Sequence, residues 1–190
     1  MSWNLPVSLN IGGTDFRIRS DYRAVIDILI AADDPELPEY AKTQVMLEIL
    51  YPDWKEIPEK DIPEAIQKAV EFIDCGQEDD GKQKPKMMDW EQDADLIIPA
   101  VNKIAGVVDI RAVEYMHWWT FMGYFMEIGD SLFSQVLGIR HKKAKGKKLE
   151  KWETEFFREN RSMIQLKEKV SEAEAARMEE EKQALQDLFG

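Results

Sequence analysis

The chain has little of what most site chemistry uses. Its 190 residues include one cysteine, Cys75, and two histidines, His117 and His141. A single cysteine excludes an internal disulfide framework and a cysteine-based zinc site. The two histidines fall on different elements, and no His/Cys/Asp/Glu cluster has the spacing of metal ligands. No run reaches the roughly 18 apolar residues of a membrane span. The start, Met1-Ser2-Trp3-Asn4-Leu5-Pro6, lacks the basic stretch and apolar run of a signal peptide. Gly12-Gly13 is not followed by the Lys-Ser/Thr of a phosphate loop. Cationic side chains are in deficit, 25 against 37 acidic, for a net charge of −12. That balance disfavours nucleic acid, whose phosphates reward positive charge, and favours solubility and basic partners. The expectation is a soluble cytoplasmic protein that is not an enzyme and carries no cofactor or metal.

What is present is helical patterning around an aromatic centre. Near the start, Val7, Leu9 and Ile11 alternate with polar residues. Gly12-Gly13 follows, and Phe16 and Ile18 alternate again, which predicts a β-hairpin with a primed turn. Ser20-Asp21 then caps a helix with apolar residues at Tyr22, Val25, Ile26, Leu29 and Ile30. Further helices are predicted from Pro38 and Pro63, because proline suits a first helical turn. Residues 1–75 form the hairpin-plus-helices part. Residues 76–88 read as a flexible linker, since Gly76 to Lys86 contains no apolar side chain to repay ordering. Residues 89–146 form a helical core region, and residues 147–190 a long C-terminal helix. The fold class is mainly α with a small N-terminal β-hairpin.

The stretch Val113–Ile128 holds much of the aromatic mass. Tyr115, Trp118, Trp119, Met122, Phe125 and Met126 share one helical face, and a helix apolar nearly all round is buried on several sides. Trp118, Trp119, Met122 and Phe125 are the core candidates. Trp152 and Phe156 follow on the apolar stripe of the long C-terminal helix. Asp109 is the expected cap of the aromatic helix and Asp130 of the short helix after it. Pro99 is expected to kink the 89–105 helix or restart it.

Two charged clusters stand out. Asp89, Glu91, Asp93 and Asp95 surround Trp90 and read as a solvated helix start, where acids complement the dipole. Arg140 to Lys151 is the one basic stretch. It suits a solvated helix end, or, functionally, an acidic protein partner met by Lys142, Lys143, Lys145 and Lys147. No interleaved aromatics offer a base-stacking platform there.

The run Asp89-Trp90-Glu91-Gln92-Asp93-Ala94-Asp95-Leu96-Ile97, then His117-Trp118-Trp119 with Phe121, then Ile139-Arg140 and Lys147-Lys148-Leu149, resembles a family of bacteriophage proteins. The family comes from phages and prophages of Gram-positive bacteria and is known by a gene-product number, the gene-product-fifteen type. The similarity covers most of residues 5 to 160. It implies a gene in the tail-morphogenesis region near the tape-measure gene, and a role similar to that of tail assembly chaperones. The partners it implies are the tape-measure protein and other tail proteins, met in the host cytoplasm. A structural tail component, an adaptor or completion protein of the virion, is the alternative. No catalytic or binding residue carries over from the family.

The C-terminal helix adds its own expectation. Beyond Val170 its apolar residues thin to Ala173, Met178, Leu185 and Leu188, so an isolated helix there should fray. Met178, Leu185 and Leu188 are therefore partner-contact candidates. A helical partner orders this end in this reading, with the tape-measure protein as first candidate, whereas residues 147–170, with their apolar stripe, are expected to dock on the domain or on another copy in a homo-oligomer.

Overall fold

In the computed structural model the described residues are 3–77, 81 and 85–189, with side chains described through residue 183. The chain is mainly α-helical with one N-terminal antiparallel hairpin, β1 (Ser8–Ile11) and β2 (Thr14–Arg17). The turn has positive φ at Gly12 (58°) and Gly13 (85°), the conformation a primed turn requires. The Gly12 N–H donates to Glu64 at 2.9 Å, which ties the hairpin to the helix behind it.

Helices α1 (Tyr22–Ala32), α2 (Glu39–Leu50) and α3 (Ile62–Ile73) complete the first part. Asp21 caps α1 by accepting from the Arg23 N–H. Pro63 sits in the first turn of α3, where its missing N–H costs nothing. Buried Tyr51, between α2 and α3, donates its hydroxyl to the Ala65 carbonyl at 2.8 Å. The expected 76–88 linker falls partly outside the described residues. Where it is described, Lys86 bridges Asp33 and Asp89 at 2.9 Å each.

Helices α4 (Ala94–Ala105), α5 (Trp118–Met126) and α6 (Leu132–Ala144) follow. α4 runs unbroken through Pro99, which is exposed, so the carbonyl it cannot serve lies near solvent. Gly106, at φ 67°, ends it. Asp109 caps a short 3₁₀ turn, Ile110–Ala112, and α5 starts later than its expected cap. His117 caps α5 and Ser131 caps α6, in place of Asp109 and Asp130. The reason for the late start is tertiary. Residues 116–118 pair with residues 20–22 across an isolated antiparallel bridge, Asp21 with His117. Tyr22 N–H donates to the Met116 carbonyl at 2.9 Å and Trp118 N–H to the Ser20 carbonyl at 2.7 Å. α1 and α5 thus begin at one shared point.

One core joins these elements, from Ile11 in the hairpin through Val25, Leu50 and Phe72 to Val101, Phe121 and Phe133. α5 binds the end of α3 directly. The Trp118 indole N–H donates to the Ile73 carbonyl and the Trp119 indole N–H to the Phe72 carbonyl, both at 2.8 Å. Both carbonyls lie in the last turn of α3, beyond the reach of its i→i−4 ladder, and the Phe72 carbonyl also accepts from the Cys75 N–H at 3.0 Å. Tyr22 stacks on Phe121 with ring centres 4.7 Å apart.

The C-terminal part departs from one continuous helix. It is divided into α7 (Lys151–Glu159), α8 (Arg161–Ile164), an extended strap over 165–171, and α9 (Glu172–Phe189). A second apolar cluster, Val136, Ile139 and Ile164 with Leu149, Phe156 and Phe157, holds α6, α7 and α8 together. Gln92, in the turn before α4, bonds the main chain of the strap, and Arg140 of α6 holds the end of α8 just ahead of it. No helix among the described residues is long and apolar enough to cross a membrane.

Candidate functional site

The acidic run and the basic stretch meet inside the protein. Asp93 is 0 % exposed and Arg140 only 7 %. The guanidinium donates to both Asp93 carboxylate oxygens, and its other N–H groups reach the Ile164 and Met163 carbonyls at 2.6 and 2.9 Å and the Met87 carbonyl at 3.0 Å. Asp89 is also buried and closes the turn before α4 by accepting from the Glu91 and Gln92 N–H groups. The solvated helix start expected here is thus overturned at Asp89 and Asp93, because Arg140, Lys86 and Lys169 supply the opposite charge.

Burial pushes the Asp89 carboxyl up, but the Gln92 N–H, Lys86 and Lys169 outweigh it and hold the group well below the usual carboxylate range. Beside it Gln92 grips the strap like a neighbouring strand. Its amide donates to the Gln165 carbonyl and accepts from the Lys167 N–H, both at 2.9 Å. Lys169 then pairs with Asp89 and Glu91 at 3.1 and 2.7 Å.

An apolar cleft opens next to this ionic clasp. It encloses about 290 Å³ between α1, the start of α4, the 3₁₀ turn and α5. Tyr22, Ile26 and Ile30 form one wall, Trp90, Ala94, Ile97 and Ile98 the other, with Ile110 and Phe121 at the base. Arg23, Glu91 and Arg111 stand at its edge. A half-open apolar space with charges at the edge suits an apolar side chain presented by a polar or amphipathic segment. The sequence signal for it was the width of the α1 stripe. Ile26 and Ile30 belong to the apolar repeat of α1 and are only partly buried.

The remaining predicted residues are scattered. Trp118 is 2 % exposed; Trp119, Met122 and Phe125 are partly buried around it, and Phe121, absent from the candidates, is fully buried. Phe156 lies in the second cluster, and Trp152 is 50 % exposed beside it. Lys142 pairs with buried Glu153 at 2.6 Å and holds its carboxyl below the usual range. Lys143 lies over the Phe157 ring at 3.5 Å. Lys145 and Lys147 are exposed, and among the described residues neither has an ion-pair partner. Met178 is exposed on α9, while the side chains of Leu185 and Leu188 lie outside those described.

The groups with chemical reactivity are engaged structurally. His117 accepts from the Trp119 N–H at Nδ1, 3.0 Å away, so its proton sits on Nε2, 2.9 Å from the Pro6 carbonyl oxygen. Burial pushes the Cys75 thiol up to about 11, which keeps it protonated at neutral pH. Among the described residues no group of His, Cys, Asp and Glu is placed to hold a metal ion.

No curated protein and no solved structure matches the chain. A family model described as Bacteriophage Gp15 protein matches residues 1–171, ending one residue before α9 begins. With nearly the whole folded body covered by that match, the chain belongs to the bacteriophage Gp15 protein family.

Proposed function

We propose that this chain acts in phage tail morphogenesis as an assembly chaperone, a binding protein that holds the tape-measure protein in the host cytoplasm. The observation that carries this reading is the cleft between α1, α4 and α5, apolar within and charged at its edge. A very long, helical and partly apolar client aggregates when unprotected. An amphipathic helix of such a client inserts an apolar side chain between Ile26 and Trp90, in the helix-in-groove manner. Arg23, Glu91 and Arg111 meet its polar flanks. The net charge of −12 keeps the loaded complex dispersed.

The test is co-expression with tape-measure fragments, using the native chain and an Ala94→Phe variant that fills the cleft. The native chain keeps fragments soluble and co-purifies with them, and the variant does so at least about tenfold more weakly while its circular dichroism is unchanged. Failure of the native chain to bind any fragment removes the chaperone reading. Recovery of the chain from purified particles instead supports the structural tail component.

A further inference from the structure

We infer that the chain associates with itself head to tail, the acidic α9 of one copy lying on the basic groove of α7 in the next. The groove runs from Lys148 along α7. Lys148, Lys151 and Arg158 line it together with Glu150 and Glu155, and Lys145 and Lys147 lie just before it; all five cations are exposed. None of the five has an ion-pair partner among the described residues, whereas Lys142 nearby is held by Glu153. Leu149 gives the groove an apolar floor, and exposed Trp152 flanks it.

The complementary surface is on the same chain. α9 carries six acidic side chains and two basic ones. Each of its described side chains, residues 172–183, is exposed. Helical spacing places Glu174, Met178 and Glu181 on one face, with Arg177 at its side, so carboxylates outnumber the cation around an apolar side chain. Carboxylates and a thioether complement ammonium groups beside Leu149 in kind. On a chain of net charge −12 the groove is the one locally basic stretch, so a second copy meets least repulsion there.

The contact is between copies because each chain's own α9 is directed elsewhere. Gln92 and Lys169 pin the strap to the turn before α4, and the Glu172 N–H donates to the Glu36 carboxylate between α1 and α2. α9 therefore leaves the body beside α1, and α7 packs on the second apolar cluster. One donor helix and one acceptor groove per copy make a heterologous interface, which closes into a ring or propagates. An 18-residue helix spans only about 27 Å, so a single contact is small and weak. This inference does not depend on the tape-measure reading.

Sedimentation velocity of the native chain over a concentration series, at low and high salt, measures it. The expected result is concentration-dependent association that weakens with salt. Two charge-reversed variants make the test specific. One carries Lys147→Glu, Lys148→Glu and Lys151→Glu; the other carries Glu174→Lys and Glu181→Lys. All five positions are exposed, so both variants retain the fold. Each alone associates about tenfold more weakly or less, and mixing the two restores association, since reversed groove meets reversed helix. A native chain that stays monomeric throughout overturns the inference, as it does if α9 binds its own groove or a client instead. Undiminished association of both variants, or a mixture no stronger than its parts, overturns it equally.

Discussion

Arg140 and Asp93 form a two-pronged ion pair at 2.6 and 2.8 Å with both side chains out of solvent. The same guanidinium holds the carbonyls of Met163 and Ile164, so this pair fastens the C-terminal part to α4. Removing one partner strands a buried charge. We expect Arg140→Met to lower stability by about 3–5 kcal/mol in urea unfolding. The double variant Arg140→Met with Asp93→Leu should lose less than the single one, because no unpaired charge remains. A double variant as damaged as the sum of its singles would show that the two groups act separately.

Stability should fall on the acid side through Asp89. Its folded carboxyl titrates below its unfolded one, so its contribution is fully present above the unfolded value, about 4, and is lost as pH falls toward the folded value. Asp89→Asn should destabilise at neutral pH and flatten the decline below pH ~4. Melting temperatures measured across that range decide it; parallel curves for the two proteins would refute the assignment.

Aromatic side chains should show a graded response to truncation according to their burial. Trp118→Ala and Phe121→Ala empty fully buried sites and should cost about 3–5 kcal/mol each. Trp152→Ala removes a side chain that is 50 % exposed and should stay within about 0.5 kcal/mol. Denaturant midpoints report the difference.

At Gly12 a Cβ would lie 2.8 Å from the Asp61 carboxylate, in a backbone with φ 58°. Gly12→Ala should therefore cost more than the roughly 1–2 kcal/mol of left-handed backbone alone. At Gly13 nothing lies within 4 Å of such a Cβ, so Gly13→Ala should pay only the backbone part. Equal losses in thermal unfolding would show that Asp61 moves aside freely.

Ending the chain after Ser171 should leave the body intact. The described side chains of α9 are all exposed, so the unfolding free energy should change by less than about 0.5 kcal/mol. Amide exchange in α4 and α6 should be unaltered. Loosening of the strap in the shortened chain would reveal that α9 supports it.

The hairpin was legible because Gly12-Gly13 between two alternating runs admits few backbones. The α1 and α3 starts were legible because Asp21 and Pro63 act within their own turns. What escaped the sequence depends on partners far along the chain. Asp93 and Arg140 each looked like a solvated charge, and only folding brings them together across 47 positions. Asp109 looked like the cap of the aromatic helix, but pairing of residues 116–118 with 20–22 holds the preceding backbone extended and gives the task to His117. The 165–171 strap has helical composition. Main-chain bonds to Gln92 keep it extended, and no local pattern announces them. The cleft was hidden for a related reason, since Ile26 and Ile30 belong to the same stripe as buried Val25.

The shared starting point of α1 and α5 also bears on how the chain is made. Asp21 accepts from the Met116 N–H at 3.1 Å, across 95 positions, and Tyr22 donates to the Met116 carbonyl. A nascent chain that has left the ribosome only as far as residue 115 lacks these partners, along with both indoles that bind the end of α3. The first three helices must then wait, incompletely bonded, for a segment translated seconds later. Their final stability is set by the arrival of Met116, His117, Trp118 and Trp119 rather than by their own completion.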